Sequence, residues 1–240
     1  MRTAEYSPGL AHWQTGALGR AVALAEAQLL ATAMDDVFGL ELLQLGAWGR
    51  GRELLRASRT RHHCLIGPEA HGAEVPDIVA HPASLPIASG TIDAILLPHC
   101  LEIEPDPQAV LREADRVLLG EGHLIVLGFN PWSLWGLRAA ASRTGFPPGF
   151  SRLLSEGRLR DWLVLLGYEV SAVRRYLYVL PAEPRARARI PGMLRRGLIN
   201  PLPAGGYLLK ARKRVYALTP IRPRRRDTRA LLGGLVNPST

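Results

Sequence analysis

The chain has 240 residues, 47% hydrophobic and 21% charged, a balance that fits a folded protein with one sizeable core and excludes a disordered chain. Its formal charge of +9 is unevenly spread: residues 181–240 hold 14 basic and 2 acidic side chains, whereas residues 1–180 are close to neutral. No apolar run approaches the roughly 20 residues of a membrane helix, so no transmembrane segment is expected. Residues 1–15 lack the basic start and apolar stretch of a secretory signal.

Cys64 and Cys100 form no ligand-spaced pair. A disulfide framework is not implied, and a reduced, cytoplasmic setting is the default expectation.

In chain order, residues 1–15 read as irregular, with Pro8, Gly9 and Trp13. Residues 17–34 read as a helix, with Leu18, Val22, Ala25 and Leu29 on one face. LELLQLG, 40–46, has strand length and stops at the glycine-rich turn GAWGRG, 46–51. RELLRAS, 52–58, fits a short helix. Strand, glycine turn and helix together form the opening of a nucleotide-binding αβ unit.

Further strands are expected at HHCLIG, 62–67, and DIVA, 77–80. TIDAILL, 91–97, is apolar at nearly every position, as a parallel strand covered on both faces should be. Asp106 and Pro107 have the form of an N-cap and first helical residue. Val110, Ala114, Val117 and Leu118 supply that helix's apolar stripe, and Gly120 and Gly122 flank its exit. HLIVLGF, 123–129, is a fifth strand.

NPWSLWGLRAA, 130–140, begins as a loop and turns helical, and residues 151–167 read as a helix ending at Gly167. Residues 168–181 contain strand material, and GYLLKARKRVYAL, 206–218, reads as a last strand paired antiparallel with its neighbour. Alternating strands and helices argue for one α/β domain. In such sheets ligands sit beyond the carboxyl ends of the strands, where residues 46–51, 81–86 and 98–103 would converge.

Residues 85–128 carry a specific pattern. LPI-ASGT-ID, 85–93, is followed by LEI, 101–103, DP, 106–107, LREADRVL, 111–118, and GEG, 120–122. In order and spacing this resembles the class I S-adenosylmethionine-dependent methyltransferases, and within them the methyltransferase type 11 group with UbiE-like motifs. The resemblance, with the expected fold of the rest, covers residues 38–218. NPWSLWGLR, 130–138, and GYLLKARKRVYALTPIRP, 206–223, suggest a smaller branch of that group.

The resemblance implies a Rossmann-like, seven-stranded sheet whose last strand alone is antiparallel. It also implies S-adenosyl-L-methionine as cofactor. The expected division is an N-terminal extension with a helix, 1–37, the methyltransferase-like domain, 38–218, and a basic tail, 219–240. On the family's pattern the glycine turn holds the donor's methionine moiety, an acid after strand two the ribose, and residues after strand three the adenine. The matching positions here are Gly46, Trp48, Gly49 and Gly51 in the turn, Glu69 after strand two, His81 and Leu85 after strand three, and His99 after strand four.

The departures are specific. The usual acidic-x-G-x-G-x-G is replaced by QLGAWGRG, 44–51, with Gln44 at the acidic position and Trp48 at the second glycine. A glycine is wanted where backbone approaches a ligand, so Trp48 narrows the pocket or packs against the donor. Glu69 is only the nearest acid, and His81 takes a position usually filled by aspartate.

Methyl transfer from an activated donor needs positioning and exclusion of water rather than a covalent protein intermediate. No nucleophile or metal-protease motif is present. His99 is the candidate to orient the acceptor or take its proton, against the alternative of a loop histidine that caps backbone groups. Asn130 could orient an amine or hydroxyl. Glu102 could bind donor or substrate or hydrogen-bond the following turn, and the structural reading is preferred.

Cys100 lacks an activating arrangement. His62, His63 and Cys64 alternate across a strand and do not converge on a metal. Trp132 and Trp135, three apart, would share a helix face as a lid or as core.

The acceptor is expected to be a small molecule, because the basic charge lies outside the catalytic body. IRPRRRDTR, 221–229, is the candidate for nucleic-acid contact, or simply a solvated terminus. The alternatives are a noncatalytic methyltransferase-like binding or regulatory protein, and an RNA-associated methyltransferase.

Overall fold

The computed structural model describes residues 8–49, 51–68, 75–143, 145–150, 152–178, 180–182 and 203–215. The expected basic tail and Glu69 lie outside these residues. Helices α1 (Pro8–Thr15) and α2 (Ala17–Ala33) precede strand β1 (Glu41–Leu45), and a 3₁₀ helix (Gly51–Ala57) leads to β2 (His62–Gly67). Then come β3 (Ile78–Val79), β4 (Ile92–Pro98), α3 (Cys100–Ile103), α4 (Pro107–Val117) and β5 (Leu118–Phe129). Helices α5 (Leu134–Ala141) and α6 (Glu156–Leu165) and strands β6 (Tyr168–Tyr176) and β7 (Gly206–Lys213) complete the described fold.

The seven strands form one sheet in the order β3-β2-β1-β4-β5-β7-β6. Strands β1 to β5 pair in parallel, and β7 runs antiparallel to both β5 and β6. This is the expected α/β, Rossmann-like sheet. Its topological switch point lies between β1 and β4, because the chain builds outward from β1 on one side and from β4 on the other.

The apolar strands divide between two faces with period two. Leu43, Leu45, Ile95, Leu97, Leu124 and Val126 share one core with Val110, Leu111 and Ala114 of α4 and Leu159 and Leu163 of α6. Leu42, Ala94, Leu96, Ile125 and Leu127 face the other way, with Leu18, Val22 and Leu30 of α2. A strand sandwiched between helices has no polar face to show, which is why these segments read as continuous apolar runs.

Local chemistry sets the helix ends. Asp106 accepts from the N–H groups of Gln108 at 3.1 Å and Ala109 at 3.0 Å, with Pro107 opening α4. Ser133 caps α5 through the Gly136 N–H, and Ser155 caps α6 through the Arg158 N–H.

Four local expectations need correction. Residues 8–15 are helical, since Leu10 is a buried anchor for that turn. The helix expected over 151–167 is confined to Glu156–Leu165, starting where Ser155 supplies the cap. Helix α4 passes straight into β5 at Leu118; Gly120 and Gly122 lie within the strand, beside a register shift against β4. The last strand ends at Lys213, and residues 216–218 are outside the described set.

Candidate active site

The carboxyl end of β1 turns at Gly46, whose N–H donates to the Ile66 carbonyl at 2.8 Å. Gly46 and Gly49 both have positive φ, +92° and +70°, which glycine adopts without steric cost. Gln44 is fully buried beneath the turn, and its Nε2 donates to the Gly46 carbonyl at 2.9 Å. That bond fixes the amide's orientation and leaves Oε1 buried without a hydrogen-bond partner. Gly51 opens the 3₁₀ helix that follows.

Trp48 does not point outward from this turn. It is fully buried, and its indole N–H donates to Glu26 Oε2 of α2 at 2.6 Å. The other oxygen, Oε1, lies 2.8 Å from His99 Nε2 and accepts from the Tyr176 hydroxyl at 2.7 Å. Glu26 thus joins the N-terminal helix to the turn after β1, the end of β4 and the end of β6.

His99 follows β4 in a left-handed conformation, φ 56° and ψ 12°, immediately before α3. Its Nδ1 lies 2.6 Å from Glu102 Oε2, while Glu102 Oε1 accepts from the Phe129 N–H at 2.6 Å. Burial alone pulls the imidazole's pKa down, but the charges of Glu102 and Glu26, with their hydrogen bonds, reverse that and hold it at about 9. Burial also raises Glu102, opposed by the charge and hydrogen bond of His99. The arrangement is a buried imidazole bracketed by two carboxyl groups.

Aromatic rings wall this group. The His99 ring centre is 4.2 Å from that of Trp48 and 4.3 Å from that of Phe129. Phe150 lies 5.8 Å from each of Trp48 and Phe129, and Trp135 stacks on Phe129 at 5.3 Å.

The remaining expected site residues scatter. Asn130 is taken up by backbone groups: Nδ2 donates to the Ala204 carbonyl, just before β7, at 3.1 Å, and Oδ1 accepts from the Trp132 N–H of its own loop at 3.0 Å. Leu85 is a core residue whose N–H donates to Glu113 at 2.7 Å. His81 turns back on Ser84, and its Nε2 lies 3.3 Å from Glu104 Oε2, which is buried without an aligned hydrogen-bond partner. Burial pushes the Glu104 carboxyl up against the pull of His81.

Trp132 and Trp135 do not share a face, because α5 begins only at Leu134; Trp132 is exposed and Trp135 is buried. Burial, then the charge of Glu104, pushes the Cys100 thiol well up, which suits an inert core cysteine. On β2, exposed His62 pairs with Glu41 at 2.9 Å. Among the described residues no group of three or more His, Cys, Asp or Glu side chains is arranged to hold a metal ion.

Sequence reasoning missed Glu26 and Tyr176. For Glu26 a signal was present: Leu18, Val22, Glu26 and Leu30 recur every fourth residue, and all are buried. An acid inside an apolar stripe must have buried partners. Tyr176 carried no such signal.

A methyltransferase-domain family model matches residues 56–126. The uncharacterized protein YafS of Escherichia coli is 34% identical over 194 residues, covering 76% of this chain and 72% of that protein. An S-adenosylmethionine-dependent methyltransferase from Archaeoglobus fulgidus superposes with a TM-score of 0.58 at 16% identity, over 80% of this chain and 94% of the other. One from Thermotoga maritima, described as a possible histamine N-methyltransferase, gives 0.55 at 18% identity, over 85% and 93%. At these identities the solved structures speak to fold alone. With the family model, the relative and the strand order in agreement, the chain belongs to the class I S-adenosylmethionine-dependent methyltransferase family.

Proposed function

We propose that this protein transfers a methyl group from S-adenosylmethionine to a small-molecule acceptor. The observation that carries the reading is Gln44 Oε1, a buried acceptor with no hydrogen-bond partner beneath the glycine turn at the β1–β4 switch point. Leaving such a group unpaired costs about 1–3 kcal/mol, and a ligand N–H would relieve it. The donor's ammonium group has that chemistry.

The residues present fit such a donor in part. Gly46, Gly49 and Gly51 would offer backbone beside its methionine end, with Gln44 in the role usually held by an acid. His81 and Glu104 supply polar atoms for the nucleoside end, beside Leu85, and Glu69 is the candidate for the ribose. When bound, the donor supplies an already activated sulfonium methyl. The protein holds the reactants and excludes water, for which the wall of Phe129, Trp135 and Phe150 is suited.

His99, with both nitrogens facing carboxylates, is assigned to holding this architecture rather than to taking the acceptor's proton. Asn130 is assigned to anchoring the loop after β5.

A second reading has its own support. Trp48 and His99 fill the crevice between the β1 and β4 ends with the chain's own side chains, as a noncatalytic binding relative could tolerate. Calorimetric titration of the full chain with S-adenosylhomocysteine separates the two. Saturable micromolar binding, followed by turnover in an acceptor screen, supports the methyltransferase. A folded protein that does not bind favours the second reading.

A further inference from the structure

The switch-point crevice, where an open α/β sheet takes its ligand, is closed by an identifiable contact. Trp48 leaves the turn after β1 and lies against His99, which follows β4, at 4.2 Å between ring centres. Glu26 of α2 fastens the indole by its N–H at 2.6 Å. Helix α2 lies directly over the turn: a Cβ placed on Gly49 would sit 3.8 Å from the Ala23 Cβ.

The closing group is also an expensive one to bury. Glu26, His99 and Glu102 are all excluded from solvent, and well-packed apolar side chains would commonly fill such a space at lower cost. Where a buried ionic group is kept in place of apolar packing, a register or switch role is its best-attested use.

We propose that Glu26 of α2 is a latch: it holds Trp48 in the β1–β4 crevice, and the donor binds only when Trp48 leaves it. This rests on the donor assignment above. The groups facing Glu26 are Trp48 from the glycine turn, His99 from the end of β4 with Glu102 of α3 behind it, and Tyr176 from the end of β6. Release of Trp48 opens the turn while His99 keeps Glu102, so the end of β4 stays anchored to Phe129. Glu26 is a positioning residue that sets access and is not itself required to touch the donor.

Apparent affinity for a ligand is reduced by the fraction of molecules in the competent state. Weakening the latch should therefore tighten binding. The test is calorimetric titration of S-adenosylhomocysteine into the full chain and into E26Q and W48F, each verified as folded by circular dichroism and a cooperative melt.

E26Q removes the carboxylate charge that holds the indole; W48F removes the N–H while keeping an aromatic ring, and serves if E26Q does not fold. Expected is a Kd lower by about tenfold in E26Q, equivalent to about 1.4 kcal/mol against the closed state, and lower by severalfold in W48F. Ligand should also shift the tryptophan emission of the wild type to the red, a change absent in W48F. Equal or weaker binding in the folded variants, with the wild type binding, overturns the latch and leaves the donor assignment standing. Absence of binding in all three overturns both.

Discussion

The indole of Trp48 lies 4.2 Å from the imidazole of His99. The two side chains come from neighbouring parallel strands, one just after β1 and one just after β4, so their contact spans the switch point of the sheet. Three groups hold that contact in place: Glu26 takes the indole N–H, Glu102 lies against His99 Nδ1, and Phe129 stacks on the His99 ring.

Stability should depend on the protonation of His99. Its folded value of about 9 exceeds the ordinary 6.5, so the folded state binds the proton more tightly. The contribution is fully present below pH 6.5 and is lost as pH rises through 9. Its size is about 3 kcal/mol, at 1.36 kcal/mol per tenfold change in proton affinity. Urea unfolding between pH 6 and pH 10 should show this fall in the wild type. His99→Asn, which tolerates the left-handed backbone, should be less stable at pH 6 and should lack that component. Parallel curves for the two proteins would exclude His99 as its source.

Asp93 secures the start of β1 from the middle of the sheet. Its Oδ2 accepts from the N–H groups of Leu40 and Glu41, both at 2.9 Å. Asp93→Ala leaves the part-buried Glu41 N–H without its acceptor and turns the exposed Leu40 N–H to water, and should cost about 1 kcal/mol. Asp93→Asn keeps an acceptor and should cost less. Equal losses in a urea titration would show that charge, not hydrogen bonding, is the source.

Lys210 ties β7 to the end of α2. Its Nζ donates to the Ala33 carbonyl at 3.0 Å and also to Asp36, and only 5% of its side chain is exposed against 73% for Asp36. The hydrogen bond and charge of Lys210 hold the Asp36 carboxyl below its usual range despite some burial. An exposed partner contributes little, so Asp36→Asn should change stability by at most about 1 kcal/mol. Lys210→Met strips the donor from a buried helix-terminal carbonyl and should cost about 1–3 kcal/mol. A larger loss for Asp36→Asn would mean that the ion pair governs this junction.

Much of the fold was legible because the strands betray their two-sided burial. The runs 62–67 and 91–97 coincide with β2 and β4 to within a residue, and Asp106 fixed the start of α4 by cap chemistry. The site was less legible. A left-handed His99 and a Trp48 turned inward depend on Glu26, 73 residues from His99 in sequence, and no local periodicity reports such a pairing. Only the acid within the α2 stripe pointed to it. The boundary errors at α4 and β5 have a local cause: Gly120 and Gly122 resemble a helix exit, yet Glu121 takes the positive φ of 67° within the strand.

Two glycine substitutions should differ in sign despite similar sequence context. Gly136 lies in the first turn of α5, and a Cβ there would stand 1.9 Å from the Pro131 carbonyl oxygen. Helix propensity favours alanine over glycine by about 1 kcal/mol, but that backbone oxygen cannot yield without moving the loop that Asn130 anchors. Gly136→Ala should therefore destabilise by about 1–3 kcal/mol. Gly157, in the first turn of α6, has nothing within 4 Å of its added Cβ, so Gly157→Ala should stabilise by about 0.4–1 kcal/mol. Thermal melts of the two variants beside the wild type test the pair. A stable Gly136→Ala protein would show that α5 can shift away from Pro131, and with it Trp135, which stacks on Phe129 in the aromatic wall.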